Sequence, residues 1–137
     1  MRRGDLVDLN EGSVMGVLVG TVILLAGYAA WGIGLYANAV TPLADTLFLF
    51  VPAVAGFASS WLTPRSRLAP GVILAIPAAC FAAAVNGALQ LIGRDVGLYV
   101  GASGVLRVAA YTLLSAGLFC AVGGLFAVVA RRVTGTL

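Results

Sequence analysis

The chain has 137 residues, of which 61% are hydrophobic and 9% charged, and its mean hydropathy is +1.08. Soluble domains carry about 25% charged residues, so eight basic and five acidic side chains cannot cover the surface of a soluble protein of this size. Disorder is excluded as well, because disordered chains are poor in apolar residues. The composition is that of an integral membrane protein.

The charged residues also narrow the classes of function. All eight basic residues are arginines, they lie in scattered pairs, and histidine is absent. This pattern excludes a nucleic-acid-binding surface and removes the commonest metal ligand. Cys80 and Cys120 have neither metal-site spacing nor the density of a disulfide scaffold. We therefore expect no metal, no cofactor, no catalytic residues and no enzymatic activity.

Four apolar stretches are long enough to cross a bilayer as helices, which takes about 20 residues each. They are residues 14–36, 42–62, 69–92 and 108–130. Thr41 is the expected N-cap of the second, with Pro42 at its first helical position. The predicted fold is all-α, an integral membrane four-helix bundle. Residues 1–12 form a short polar lead, residues 13–132 a single transmembrane domain and residues 133–137 a tail.

The arginines predict the orientation of the bundle. If all four stretches cross, two arginines, Arg94 and Arg107, lie on one side and six on the other: Arg2, Arg3, Arg65, Arg67, Arg131 and Arg132. Cytoplasmic loops carry the excess of basic residues. Both termini are therefore expected in the cytoplasm, and the compact, glycine- and alanine-rich chain is expected in a bacterial cytoplasmic (inner) membrane.

Small residues recur at four-residue spacing on the first and last helices. Such residues let helix backbones approach closely in lipid, where hydrophobicity does not drive helices together. The expected packing positions are Gly12, Gly16 and Gly20 on the first helix and Ala116, Cys120 and Gly124 on the last. We expect them to hold an intramolecular bundle, with a homo-oligomer through the first helix as the open alternative. Pro52 and Pro77 predict kinks within two spans.

Polar residues gather near the predicted outer side. Asn86, Gln90 and Arg94 follow one another at four-residue spacing and so share a helix face, while Asp45 and Arg107 stand at the outer ends of neighbouring helices. Such groups either hydrogen-bond helices to one another or form an outward-facing vestibule for a ligand or ion. Both interpretations remain open from the sequence.

Two functions follow from these expectations. The first is a non-enzymatic accessory, partner-binding or structural subunit, surrounded by the lipid bilayer and bound to a membrane-protein partner or to further copies of itself. The alternative is a small oligomeric transporter or channel that uses the outer vestibule. Neither involves nucleic acid.

Overall fold

The computed structural model describes residues 11–37, 42–63, 69–94 and 99–135. Five α-helices follow one another along the chain, and the described ranges contain no strand. The helices are α1 (Glu11–Tyr36), α2 (Pro42–Leu62), α3 (Ala69–Ile73), α4 (Ala75–Leu91) and α5 (Gly101–Thr134). Leu74 alone separates α3 from α4, so the two count as one interrupted helix. The expected all-α fold of four helices is confirmed.

Three of these helices are long and apolar enough to cross a membrane: Ser13–Gly34, Gly71–Leu91 and Gly101–Thr134. The helix α2 has the predicted bounds, but its described apolar stretch, Phe48–Leu62, is shorter than the other three. The length and composition of three helices therefore support insertion in a membrane.

The expected continuous helix over residues 69–92 is interrupted at Leu74, close to Pro77. Pro77 has no N–H and cannot donate to the carbonyl of Ile73, one turn earlier. Near this proline the backbone makes a tighter turn, in which the Leu74 N–H donates to the Gly71 carbonyl, three residues earlier, at 3.3 Å. The α-helical pattern resumes where the Ala78 N–H donates to the Leu74 carbonyl, four residues earlier, at 3.1 Å. Pro52, by contrast, lies inside the uninterrupted α2.

The last helix begins earlier than predicted. We expected a loop over residues 93–107, whereas α5 starts at Gly101. Gly101 has a φ of +74°, which favours glycine, and a Cβ at Gly104 would overlap the backbone of Tyr99. These two glycines allow a sharp entry into the helix. Arg107 therefore lies within α5 and not at its entrance.

The core is built from small residues and a few larger ones contributed by every helix. The helix α2 packs against both α1 and α5, and α4 packs against α5. The central buried cluster comprises Leu24, Tyr28, Ala55, Leu74, Ala75, Ala78, Ala116 and Cys120. Because most of these side chains are small, the helix backbones lie close together.

Candidate polar site and helix interfaces

The Gln90 side chain connects the end of α4 to the beginning of α5. Its amide nitrogen donates to Asn86 Oδ1 at 2.6 Å and to the Tyr99 carbonyl at 3.0 Å, and its oxygen accepts from the Gly101 N–H at 2.7 Å. Asn86 is buried beneath it. Asn86 and Gln90 lie along one helix face and bond each other, and Gln90 also bonds the beginning of the next helix.

The other three residues of the expected vestibule have different surroundings. The Arg94 guanidinium lies 4.8 Å from the centre of the Tyr36 ring, a cation–π contact between the segment that follows α4 and the last residue of α1. Arg107 is exposed on α5. Among the described side chains, no hydrogen bond or ion pair joins Arg107 to Asn86, Gln90 or Arg94. Asp45 lies in α2, and its side chain is outside the described part of the structure.

The glycines predicted on the first helix face α2. A Cβ at Gly16 would lie 2.6 Å from the Ser59 carbonyl, and one at Gly20 would lie 2.5 Å from Leu74 Cδ1 and 3.1 Å from the Ala55 carbonyl. These two glycines therefore belong to an interface within the chain. Gly12 lies in the first turn of α1, and its surroundings fall outside the described structure.

The positions predicted on the last helix lie on its inward face, and Ala116, Cys120 and Gly124 are all buried. The Cys120 thiol donates to the Pro52 carbonyl at 3.1 Å. A Cβ at Gly56 would overlap the Cys120 backbone, and one at Gly123 would overlap the Ala53 carbonyl. Gly56 is one of the small residues expected to pack on the second helix, whereas Gly123 was not predicted, although it is a glycine within an apolar span, the signal already used for α1.

A second contact that was not predicted fixes the opposite end of the bundle. Arg131 Nη1 donates to the Thr63 carbonyl at 2.8 Å, and its guanidinium lies 5.4 Å from the centre of the Trp61 ring. This arginine therefore binds the end of α2 as well as marking the expected cytoplasmic side.

Four buried hydroxyl oxygens have no hydrogen-bond partner among the described groups: those of Tyr28, Ser59, Ser60 and Thr112. Tyr28 is surrounded by aromatic rings, with ring centres 5.3 Å from Phe48 and 6.4 Å from both Trp31 and Phe81. Sequence reasoning did not identify Tyr28 or Thr112 as polar groups of the core.

No metal centre is assembled within the described ranges, where no three His, Cys, Asp or Glu residues come together. Both cysteines are free thiols; Cys80 is exposed and Cys120 is buried.

Between the exposed Ile76 and Leu91, the outward face of α4 carries small residues. Cys80, Ala84 and Ala88 are exposed at four-residue spacing. A Cβ at Gly87 would have nothing within 4 Å, whereas one at Gly16, Gly20, Gly56 or Gly123 would meet a neighbouring helix. The small size of Gly87 is therefore not explained by packing within the chain. We call the surface formed by Cys80, Ala84, Gly87 and Ala88 the α4 face.

Comparison with known proteins gives no match to this chain: no protein-family model, no curated protein and no solved structure is significantly similar to it.

Proposed function

We propose that the chain is a multi-pass protein of a bacterial cytoplasmic membrane, with four crossings and both termini in the cytoplasm. Within that membrane it acts as a non-enzymatic accessory subunit that binds a membrane-protein partner or a further copy of itself. The observation that carries the proposal is the distribution of side chains: those on the surface are large and apolar, and most of those in the core are small.

The outward face of α5 illustrates this distribution. Leu114, Leu118 and Phe126 are 76%, 64% and 65% exposed, while Ala116 and Cys120 between them are buried. In water, such a surface would be an aggregation hazard. In lipid it is favourable, because the acyl chains are as apolar as leucine and small residues are what let helices pack.

The α4 face supports the partner-binding part of the proposal. A lipid-facing helix gains nothing from an interior glycine, because alanine is the better helix former by about 1 kcal/mol. Small residues at four-residue spacing are instead typical of surfaces on which another transmembrane helix packs closely. Gly87, with open space around it, is the natural centre of such a contact.

The contacts of Gln90 weigh against the alternative of a transporter or channel with an outer vestibule. All three of its polar contacts go to groups of the same chain. Arg94 is engaged with Tyr36 in the same region. These side chains support a role in joining helices.

Topology is tested with reporter fusions after Asn38, after Asp95 and at both termini. We expect periplasmic activity from the two loop fusions and cytoplasmic activity from the terminal ones, since six of the eight arginines lie on the terminal side. Termini on opposite sides would overturn the four-crossing arrangement.

Partner binding is tested by crosslinking in native membranes followed by purification and size measurement. Gly87→Leu is expected to abolish the crosslinked complex, because leucine would hold the other helix away from the α4 face. The matched control is Ala30→Leu, which adds similar bulk at an exposed position of α1. A chain that is monomeric and uncrosslinked, or a complex unaffected by Gly87→Leu, would contradict binding at the α4 face.

A further inference from the structure

Contacts between helices define two ends of the bundle. Arg131 donates to the Thr63 carbonyl, and a Cβ at Gly16 would lie 3.0 Å from Thr63 Oγ1. These contacts bring together the first turns of α1 and the ends of α2 and α5, and we call this part of the molecule the Thr63 end. The bonds of Gln90 bring together the end of α4 and the beginning of α5 at the opposite end.

The two ends differ in charge along the sequence. The chain up to the first residue of α1, between α2 and α3 and at the end of α5 contains six arginines and three acidic residues: Arg2, Arg3, Arg65, Arg67, Arg131 and Arg132, with Asp5, Asp8 and Glu11. The remaining charges are two of each sign: Arg94 and Arg107, with Asp45 and Asp95. The whole formal net charge of +3 therefore belongs to the segments of the Thr63 end.

Trp61 indicates the depth of the Thr63 end in a bilayer. Its ring centre lies 5.4 Å from the Arg131 guanidinium and 5.6 Å from the ring centre of Phe57. Indole rings of membrane proteins concentrate at the level of the lipid headgroups. A guanidinium beside such a ring lies at the depth of the lipid phosphates, so an anion that meets it there is most simply a headgroup.

The surface of α5 next to this arginine has the two parts that a lipid molecule requires. Arg132 is exposed. Val129 and Leu125 precede it by three and seven residues, so they lie on the same side of the helix, and both are exposed. A charged group thus stands at the end of an apolar strip. Arg131, fixed by Thr63, adds a second positive charge beside it.

We propose that the Thr63 end binds the headgroup of an anionic phospholipid. The phosphodiester accepts hydrogen bonds from the Arg132 guanidinium, whose planar fork matches phosphate oxygens, and an acyl chain lies along Val129 and Leu125. One arginine near an anionic membrane surface contributes roughly a fivefold preference. This site rests on the membrane location in the proposed function, but on neither the accessory role nor the α4 face.

The first test uses the fluorescence of Trp61 in nanodiscs. Trp31→Phe leaves Trp61 as the single tryptophan of the chain, and bromine in a lipid acyl chain quenches an indole that it contacts. A minor fraction of brominated phosphatidylglycerol should quench as much as about five times that fraction of brominated phosphatidylcholine. Equal quenching by both lipids would overturn the headgroup site and leave the membrane location intact. Quenching by neither would contradict the membrane location itself.

Two variants in the Trp31→Phe chain form a matched pair. Arg132→Gln and Arg107→Gln each remove one exposed arginine of α5, from opposite ends of the helix. We expect Arg132→Gln to lower the preference for phosphatidylglycerol about fivefold and Arg107→Gln to leave it unchanged. An equal loss in both would mean that the lipid responds to the charge of the whole chain, which contradicts a site at the Thr63 end.

Inorganic phosphate separates a lipid site from a site for the free ion. Added at the ionic strength of a sodium chloride control, phosphate should reduce quenching by brominated phosphatidylglycerol no more than chloride does, since both only screen the charges. Stronger competition by phosphate would assign the site to the free anion and overturn the proposal of a lipid.

Native mass spectrometry tests the site in the chain with both tryptophans. Released from nanodiscs of equal parts phosphatidylglycerol and phosphatidylcholine, the native chain should retain phosphatidylglycerol preferentially, and the Arg132→Gln variant should lose that preference. Retention of both lipids alike by the native chain would refute the site even if Trp31→Phe folds poorly.

Discussion

The side chain of Gln90 joins the end of α4 to the beginning of α5 through three hydrogen bonds. It bonds a buried amide on its own helix and two backbone groups at the entrance of the next helix. We expect Gln90→Leu to lower the free energy of unfolding by about 1–3 kcal/mol, because Asn86 and the backbone at Tyr99 and Gly101 lose their partners together. Unfolding in mixed micelles with increasing SDS measures the change.

Ser115→Ala is the matched control for this prediction. The Ser115 hydroxyl bonds the carbonyls of Tyr111 and Thr112 within its own helix, at 2.8 and 3.4 Å, and connects no other helix. Its loss should change stability by less than that of Gln90. Equal stability of Gln90→Leu and the native chain would show that the amide contacts are dispensable.

Two adjacent arginines near the end of α5 allow the loss of a contact to be compared with the loss of charge alone. Arg131 donates to the Thr63 carbonyl and lies over the Trp61 ring, whereas Arg132 is exposed. Arg131→Met is expected to lower the free energy of unfolding by about 1–2 kcal/mol through the lost charge-assisted hydrogen bond. Arg132→Met removes the same charge without that contact, so a similar loss in both variants would contradict a specific role for Arg131.

At the scale of helices, the sequence predicts the bounds that local chemistry sets and misses those that depend on tertiary packing. Pro42 opens α2 where its missing N–H does no harm, and that boundary is confirmed. The early start of α5 depends on the close approach of Gly104 to the backbone of Tyr99. No spacing of residues encodes that approach.

The same limit applies to the candidate site. Four-residue spacing correctly places Asn86 beside Gln90, because helical geometry alone decides it. The bonds of Gln90 to Tyr99 and Gly101 depend on where the next helix begins, so the sequence could not supply them. From the sequence, Tyr28 is simply one more core residue of an apolar span, and only the structure shows that its hydroxyl has no described partner.

The close contact between α2 and α5 allows a prediction about the packing of two helices. A Cβ at Gly123 would overlap the Ala53 carbonyl, so Gly123→Ala must push the two helices apart. We expect a loss of about 1–3 kcal/mol in the free energy of unfolding, as for overpacked cores. SDS unfolding followed by circular dichroism measures it.

Gly87→Ala is the matched control, since it makes the same change on α4 where nothing lies within 4 Å. Alanine is the better helix former there, so the monomer should become more stable by up to about 1 kcal/mol. A Gly123→Ala variant as stable as the native chain would show that the helices do not meet as closely as described.

At the scale of the whole molecule, the distance between two arginines near the ends of α5 can be compared with the thickness of a bilayer. Arg107 and Arg131 are 24 residues apart on α5, or about 36 Å at 1.5 Å per residue. This distance is slightly more than a hydrocarbon layer of about 30 Å, so both arginines can lie at its edges. With Arg107 at one edge of this layer, the first two turns of α5 would extend beyond it.

The reactivity of Cys80 tests whether lipid surrounds the molecule. Cys80 is exposed and Cys120 is buried, so in water a maleimide would modify Cys80 rapidly and Cys120 slowly. In a bilayer Cys80 lies at hydrocarbon depth, where a water-soluble reagent does not reach it. We therefore expect neither cysteine to react in intact membranes and both to react after SDS denaturation.

The control is Asn38→Cys in a background that lacks both native cysteines. This residue lies in the expected outer loop, so it should react before denaturation. Labelling of Cys80 in intact membranes at the rate of that control would mean that water, and not lipid, covers this face of α4.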